Sequence, residues 1–138
     1  MIATLAIAVI WMLAAALLFR LLSVWDELPE RVAVHFGVTM RPDGWASRST
    51  MAVLIFLLVV GHAALSTWLV FTRVSADPMV SAIQLATATV FFSVFWQTIT
   101  FNISGKPLKV IWIILPALFV AGSVGVLVTG ALGHHSMR

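Results

Sequence analysis

The chain has 138 residues, 62% of them hydrophobic and 9% charged, with a mean hydropathy of +1.09. Soluble domains are about 45–50% apolar and about 25% charged, so a soluble globular domain, a disordered tail and a secreted disulfide scaffold are excluded, and the absence of Cys removes thiolate metal sites and Cys nucleophiles. The net charge of +3 comes from eight Lys/Arg against five Asp/Glu with no basic run, which argues against a nucleic-acid surface.

Four apolar blocks of about 20 residues or slightly more follow one another, and each is long enough to cross a bilayer. They run from Ile2 to Val24, Met51 to Thr72, Val80 to Phe101 and Leu108 to Leu132. Backbone groups in hydrocarbon must be paired within the segment, so the blocks predict helices. The expected fold is all-α: a four-helix transmembrane bundle forming one integral membrane domain over 1–138. The start, Met1-Ile2-Ala3-Thr4, has no basic residue and opens a run too long for a signal peptide, so it predicts a retained first helix.

The connections are unequal. Arg73–Met79 and Asn102–Pro107 are short, with Asp77-Pro78 and Ser104-Gly105 as breakers, and predict tight helix hairpins. The segment 25–50 is long and holds four of the five acidic residues; long ordered loops are usually functional. Within it, Arg31 to Phe36 alternates, with Val32, Val34 and Phe36 on one side and Arg31, Ala33 and His35 on the other, predicting a short strand. Pro42-Asp43-Gly44 predicts a turn, which Trp45 closes. Asp26, Glu27 and Glu30 predict a solvated face.

Four spans place both termini on one side and loops one and three on the other. Arg20, Arg31, Arg41, Arg48, Lys106 and Lys109 belong to the loop-one side; Arg73 and Arg138 belong to the terminal side. The positive-inside rule puts loops one and three in the cytoplasm. Trp25, Trp45, Trp96 and Trp112 fall toward that same side, as an interfacial belt does.

The segment Leu28-Pro29-Glu30-Arg31-Val32-Ala33-Val34-His35-Phe36-Gly37, leading to Pro42-Asp43-Gly44-Trp45 and then Arg48, resembles the DUF1648 domain, a membrane module of undefined activity. Met40 departs from the Gly usual there. The same module opens the larger SdpI-type membrane immunity proteins, so the resemblance implies a small multi-pass protein of the cell membrane with a role in immunity, recognition or envelope signalling. Relatives that start with basic residues imply the opposite orientation to the charge count, and both orientations stand at this point.

The candidate binding face for a ligand or partner is His35, Phe36, Asp43, Gly44, Trp45 and Arg48, with a peptide or toxin, or a membrane protein, as the partner beside the lipid bilayer. Against it stands a structural His35 whose ring locks the loop through a carbonyl or Asp43. The intramembrane polar residues are His62, Thr89, Ser93 and Gln97, the last three with Thr100 on one face of the third helix. An ionisable residue at membrane depth suggests a functional site, so a small transporter or proton-coupled protein using His62 is the alternative. Its bland counterpart is a neutral imidazole bonded to a neighbouring helix, through Gln97 or a Thr. A water-filled cavity around His62 favours transport; a dry, bonded ring favours structure. Ala117, Ala121, Gly125, Thr129 and Gly133 form a small-residue seam on the fourth helix for packing within the bundle or in a homo- or hetero-oligomer, and Pro116 predicts a kink that frees the carbonyl of Trp112. His134-His135 predicts a solvated tail. No catalytic residues, metal site or cofactor are expected: no nucleophile motif, convergent acid pair, metal-ligand spacing or dinucleotide fingerprint is present.

Overall fold

The computed structural model describes residues 2–37, 39, 41–72, 78–109, 111, 114 and 118. In chain order these form α1 (Ile2–Ser23), a single 3-10 turn (Trp25–Glu27), β1 (Arg31–Phe36), β2 (Pro42–Ser47), α2 (Arg48–Phe71) and α3 (Pro78–Ser104). Three helices are long and apolar enough to cross a membrane: Ala3–Ser23, Arg48–Phe71 and Met79–Ser104, with mean hydropathies of 2.5, 2.3 and 1.6. Of the expected fourth span, Leu108, Lys109, Ile111, Ile114 and Leu118 are described; the last three are helical, and Leu108 and Lys109 are not. The seam Ala117, Ala121, Gly125, Thr129 and Gly133 lies outside the described residues, as do Met40, Arg73, Trp112, Pro116, His134, His135 and Arg138.

The three helices pack by narrow stripes. Ala6, Ile10, Ala14, Leu17 and Leu21 are buried along α1, with Val24 just past its end, and Met51, Ile55, Val59 and Ala63 along α2. Steps of three and four keep each set on one helix face. The remaining faces are apolar and open, with Phe19 74% and Phe71 82% exposed, as suits a surface solvated by lipid tails. Helices in lipid gain little from apolar burial and associate through close packing and hydrogen bonds. One such bond joins α1 to α2: Trp11 Nε1 donates to Thr67 Oγ1 at 3.0 Å.

The helix ends account for the boundaries. α2 starts three residues before the apolar run suggests, because Ser47 caps it: Ser47 Oγ accepts from Thr50 N at 3.0 Å. α3 ends at Ser104 and the chain turns through Gly105, whose φ of 64° lies in the left-handed region that glycine enters without penalty. α3 therefore outruns the expected end at Phe101, and Asn102 belongs to the helix rather than to the connection.

The hairpin β1–β2 is antiparallel and sits where α1 ends, α2 begins and α3 ends. The strand expected at Arg31–Phe36 is there. The turn expected at Pro42-Asp43-Gly44 is not: all three residues are in β2, and the chain reverses between Gly37 and Arg41, with Gly37 N donating to Arg41 O at 2.9 Å. Proline is tolerated as the first residue of a strand, where its missing N–H matters least. The pairing is Arg31 with Ser47, Val32 with Ala46, Ala33 with Trp45, His35 with Gly44 and Phe36 with Pro42, so Val34 and Asp43 are unpaired at irregularities.

The simple alternation of β1 fails at one point. Val32 and Ala33 are both fully buried. Ala33 is covered because its backbone meets α3: Ala33 N donates to Asn102 Oδ1 at 2.7 Å, and Asn102 Nδ2 donates to Ala33 O at 2.9 Å. Asn102 thus supplies the donor and acceptor that a neighbouring strand would supply, and Nδ2 also donates to Thr98 O within α3 at 2.9 Å. On the other side, Arg48 N donates to Glu30 O at 3.0 Å. Arg48 Nη1 donates to Trp25 O at 3.3 Å, with the guanidinium 5.2 Å from the Trp25 ring centre.

Asn102→Ala is expected to lower stability by about 2 kcal/mol, the scale of losing buried partners at a backbone amide and carbonyl. Trypsin cleavage at Arg31 or Arg41 should quicken while helix content holds. Asn102→Asp should be worse, because a carboxylate cannot donate to Ala33 O or Thr98 O. Thermal melts and limited proteolysis in nanodiscs check both; wild-type behaviour in both variants would contradict the clamp.

Candidate functional site: the membrane-surface hairpin

His35 and Asp43 come together at the turn end of the hairpin. Nδ1 of His35 lies 2.5 Å from Oδ1 of Asp43, and both side chains are largely exposed, at 74% and 52%. With the carboxylate accepting, Nδ1 carries a proton and donates it to Asp43. Gly44 makes this placement possible. It stands opposite His35, and a Cβ there would lie 2.7 Å from His35 Cβ. Gly37 has a similar function on a smaller scale, since a Cβ there would meet Asp43 Oδ2 at 3.0 Å. Gly44 is required by the close approach of His35, whereas at Gly37 a small shift of the exposed Asp43 carboxylate would make room.

The six candidate residues of this loop do not form one face. His35 and Asp43 are paired, Gly44 lies beneath His35, and Trp45 is exposed at 51%. Phe36 turns to the bundle, edge-to-face with Phe101 of α3 at 5.1 Å. Arg48 is held at Trp25, as described above, and joins α2 to the 3-10 turn. The exposed constellation is therefore His35, Asp43 and Trp45; Phe36 and Arg48 hold the hairpin in place. Asn102 was missed as a contributor from sequence because a lone Asn before Ser-Gly has the composition of a helix break. Its partner lies 69 residues away.

No nucleophile is paired with the His35 ring, and no group of three or more His, Asp or Glu able to hold a metal occurs among the described residues. The His35–Asp43 bond is the loop-locking contact that a structural His35 makes; the exposed carboxylate and the neighbouring indole are groups suited to a polar or peptide surface.

The intramembrane polar residues are arranged differently. His62 Nε2 lies 3.0 Å from the backbone carbonyl of Gln84, so Nε2 carries the proton, and the ring meets Phe91 edge-to-face at 5.6 Å. The partner is on a neighbouring helix, but it is neither Gln97 nor a Thr. The adjoining cavity is about 10 Å³, at the lower limit for a single water. Ile10, Leu13, Ala14, Val59, Ala88, Phe91 and Phe92 line it with His62. Among the described residues the ring is bonded and no large cavity adjoins it, which suits a structural imidazole. Thr89 and Thr100 bond back to Leu85 O and Trp96 O of their own helix at 2.9 and 2.8 Å, which settles their hydroxyls without a neighbour. Gln97 Oε1 accepts from Lys109 N at 2.7 Å. Ser93 lines an open pocket with Phe92, Trp96 and Gln97.

Gly44→Ala is expected to force β1 and β2 apart at His35, costing about 1–3 kcal/mol as over-packing does. Adding His35→Gly should recover most of that loss, since it removes the Cβ that collides. Melting curves of both single variants and the double variant measure the coupling; independent, additive effects would contradict the contact.

The comparisons with known proteins agree with this geometry in part of the chain. The model of a family, DUF1648, described as a domain of unknown function, matches residues 2–60. No curated protein and no solved structure matches. The match takes in α1, the hairpin and the first half of α2, and ends before α3. The match to the DUF1648 model ends at residue 60, and the helix that clamps the hairpin lies beyond it.

Proposed function

We propose that this is a non-catalytic, multi-pass protein of the cell membrane whose hairpin recognises a peptide, a toxin or another membrane protein at the bilayer surface, in immunity or envelope signalling. The observation that carries this reading is the exposed His35–Asp43 pair on a hairpin whose backbone is clamped by Asn102. A binding surface held in one conformation loses little entropy on engagement. Trp45 adds a large, half-exposed indole, a residue type enriched at the centres of binding sites. The bond from His62 to Gln84 O and the small, mostly apolar cavity beside it, among the described residues, favour a structural role over the transport alternative.

The test is protection. Cells carrying the wild-type chain, or a His35→Ala/Asp43→Ala/Trp45→Ala variant at matched membrane levels, are challenged with membrane-active peptide toxins. The wild type should raise survival and the variant should lose that effect. Equal survival of the two strains would remove the hairpin from the function. Because the chain has no Cys, Thr39→Cys at the exposed turn reports the side of the membrane. Labelling of intact cells by an impermeant thiol reagent fits capture of an external toxin; labelling only after lysis fits a cytosolic or intramembrane signalling partner.

A further inference from the structure

A second polar region lies at the hairpin end of the bundle, built on α3. Two open pockets border this helix. One, of about 220 Å³, runs from Trp96, Gln97 and Thr100 to the segment Lys106–Lys109. The other, of about 280 Å³, is lined by Phe92, Ser93, Trp96 and Gln97. Trp96 and Gln97 line both.

Three cations belong to this region. Lys106 and Lys109 are exposed on the pocket wall. Arg20, in the last turn of α1, stacks its guanidinium 5.5 Å from the Trp96 ring centre. No carboxylate pairs with any of them among the described residues, where the recorded ion pair is His35 with Asp43. Two further donors are unmet. Arg20 Nε and Gln97 Nε2 are both buried without a hydrogen-bond partner. Gln97 is held by its other end, Oε1, which accepts from Lys109 N. A buried donor left unpaired is costly, so this amide is poised for an acceptor that the described residues do not provide.

Depth narrows the chemistry. Gln97 is seven residues from the end of α3, about 10 Å by helix rise, which places it below the surface and beside the apolar faces of the spans. Exposed lysines just past the end of α3, with Arg20, an amide N–H and an indole beside them, match the phosphate group of a phospholipid, whose acyl chains run down the apolar helices. We propose that Arg20, Trp96, Gln97, Lys106 and Lys109 form a binding site for the headgroup of an anionic phospholipid. A soluble phosphate would gain nothing from the flanking apolar surface.

The test is native mass spectrometry of the purified full chain in detergent, titrated with phosphatidylglycerol, phosphatidylcholine or inorganic phosphate. The wild type should retain one phosphatidylglycerol in preference to phosphatidylcholine by about tenfold or more, the scale set by several interfacial cations. Arg20→Gln/Lys106→Gln/Lys109→Gln should bring that preference close to parity. Gln97→Leu leaves the charge unchanged and should still weaken retention by about threefold, the scale of one lost hydrogen bond. Arg31→Gln/Arg41→Gln removes two exposed cations from the hairpin and should change retention by less than about twofold, since distant screened charges add little. If the triple variant loses its helix content, Lys106→Gln/Lys109→Gln, at two exposed positions, carries the same test. Equal retention of the two lipids by the wild type would overturn the proposal. So would equal losses from the pocket and hairpin variants, or displacement of bound lipid by inorganic phosphate.

Discussion

Two hydrogen bonds between Asn102 and the backbone of Ala33 fix the hairpin on the bundle, and much else follows from them. A two-stranded hairpin alone is marginal in water, and its free edge presents unpaired N–H and C=O groups. Asn102 covers that edge at one residue with both a donor and an acceptor. It can do so because α3 continues to Ser104 and Gly105 then turns the chain away. With β1 held there, Val32 enters the core beside Leu17, Leu21 and Ile55, while Phe36 reaches Phe101. The opposite anchor is α2, whose first residue, Arg48, binds Glu30 and Trp25 through its backbone and guanidinium. The hairpin is therefore fastened to two helices, and its exposed residues are displayed on a rigid support.

The membrane-spanning part follows a different constraint. Water is absent there, so each polar group needs a partner within the protein. The threonines of α3 meet this within their own helix, and His62 meets it through the carbonyl of Gln84. These residues are thereby quieted: their hydrogen-bonding capacity is used in holding the fold. Among the described residues, buried atoms without a partner lie at Arg20 and Gln97 beside the α3 pockets and at Ser66 within α2.

The three spans were legible in the sequence because a run of about 20 apolar residues has few alternatives. The strand at Arg31–Phe36 was legible from its alternation. The turn was displaced because Pro42-Asp43-Gly44 has the local chemistry of a turn, whereas the need for Gly44 comes from His35 across the hairpin, which no local pattern records. The bond between His35 and Asp43 was foreseeable from two polar residues eight apart in one compact loop. The clamp was not: Asn102 lies 69 residues from Ala33, in a stretch whose composition suggests a break. The polar face of α3 was visible, but whether a hydroxyl bonds its own helix or a neighbour is a matter of rotamer, and spacing does not encode it.

Backbone hydrogen exchange of the wild-type chain in lipid nanodiscs tests the central claim most directly. If Asn102 holds β1 as described, the amide of Ala33 should exchange as slowly as amides in the last turns of α3, because both open only when that contact breaks. Exposed amides at the turn, such as Thr39, should exchange fast. An Ala33 amide that exchanges as fast as Thr39 would show a hairpin free of the bundle, and the account of a rigid recognition platform would fail.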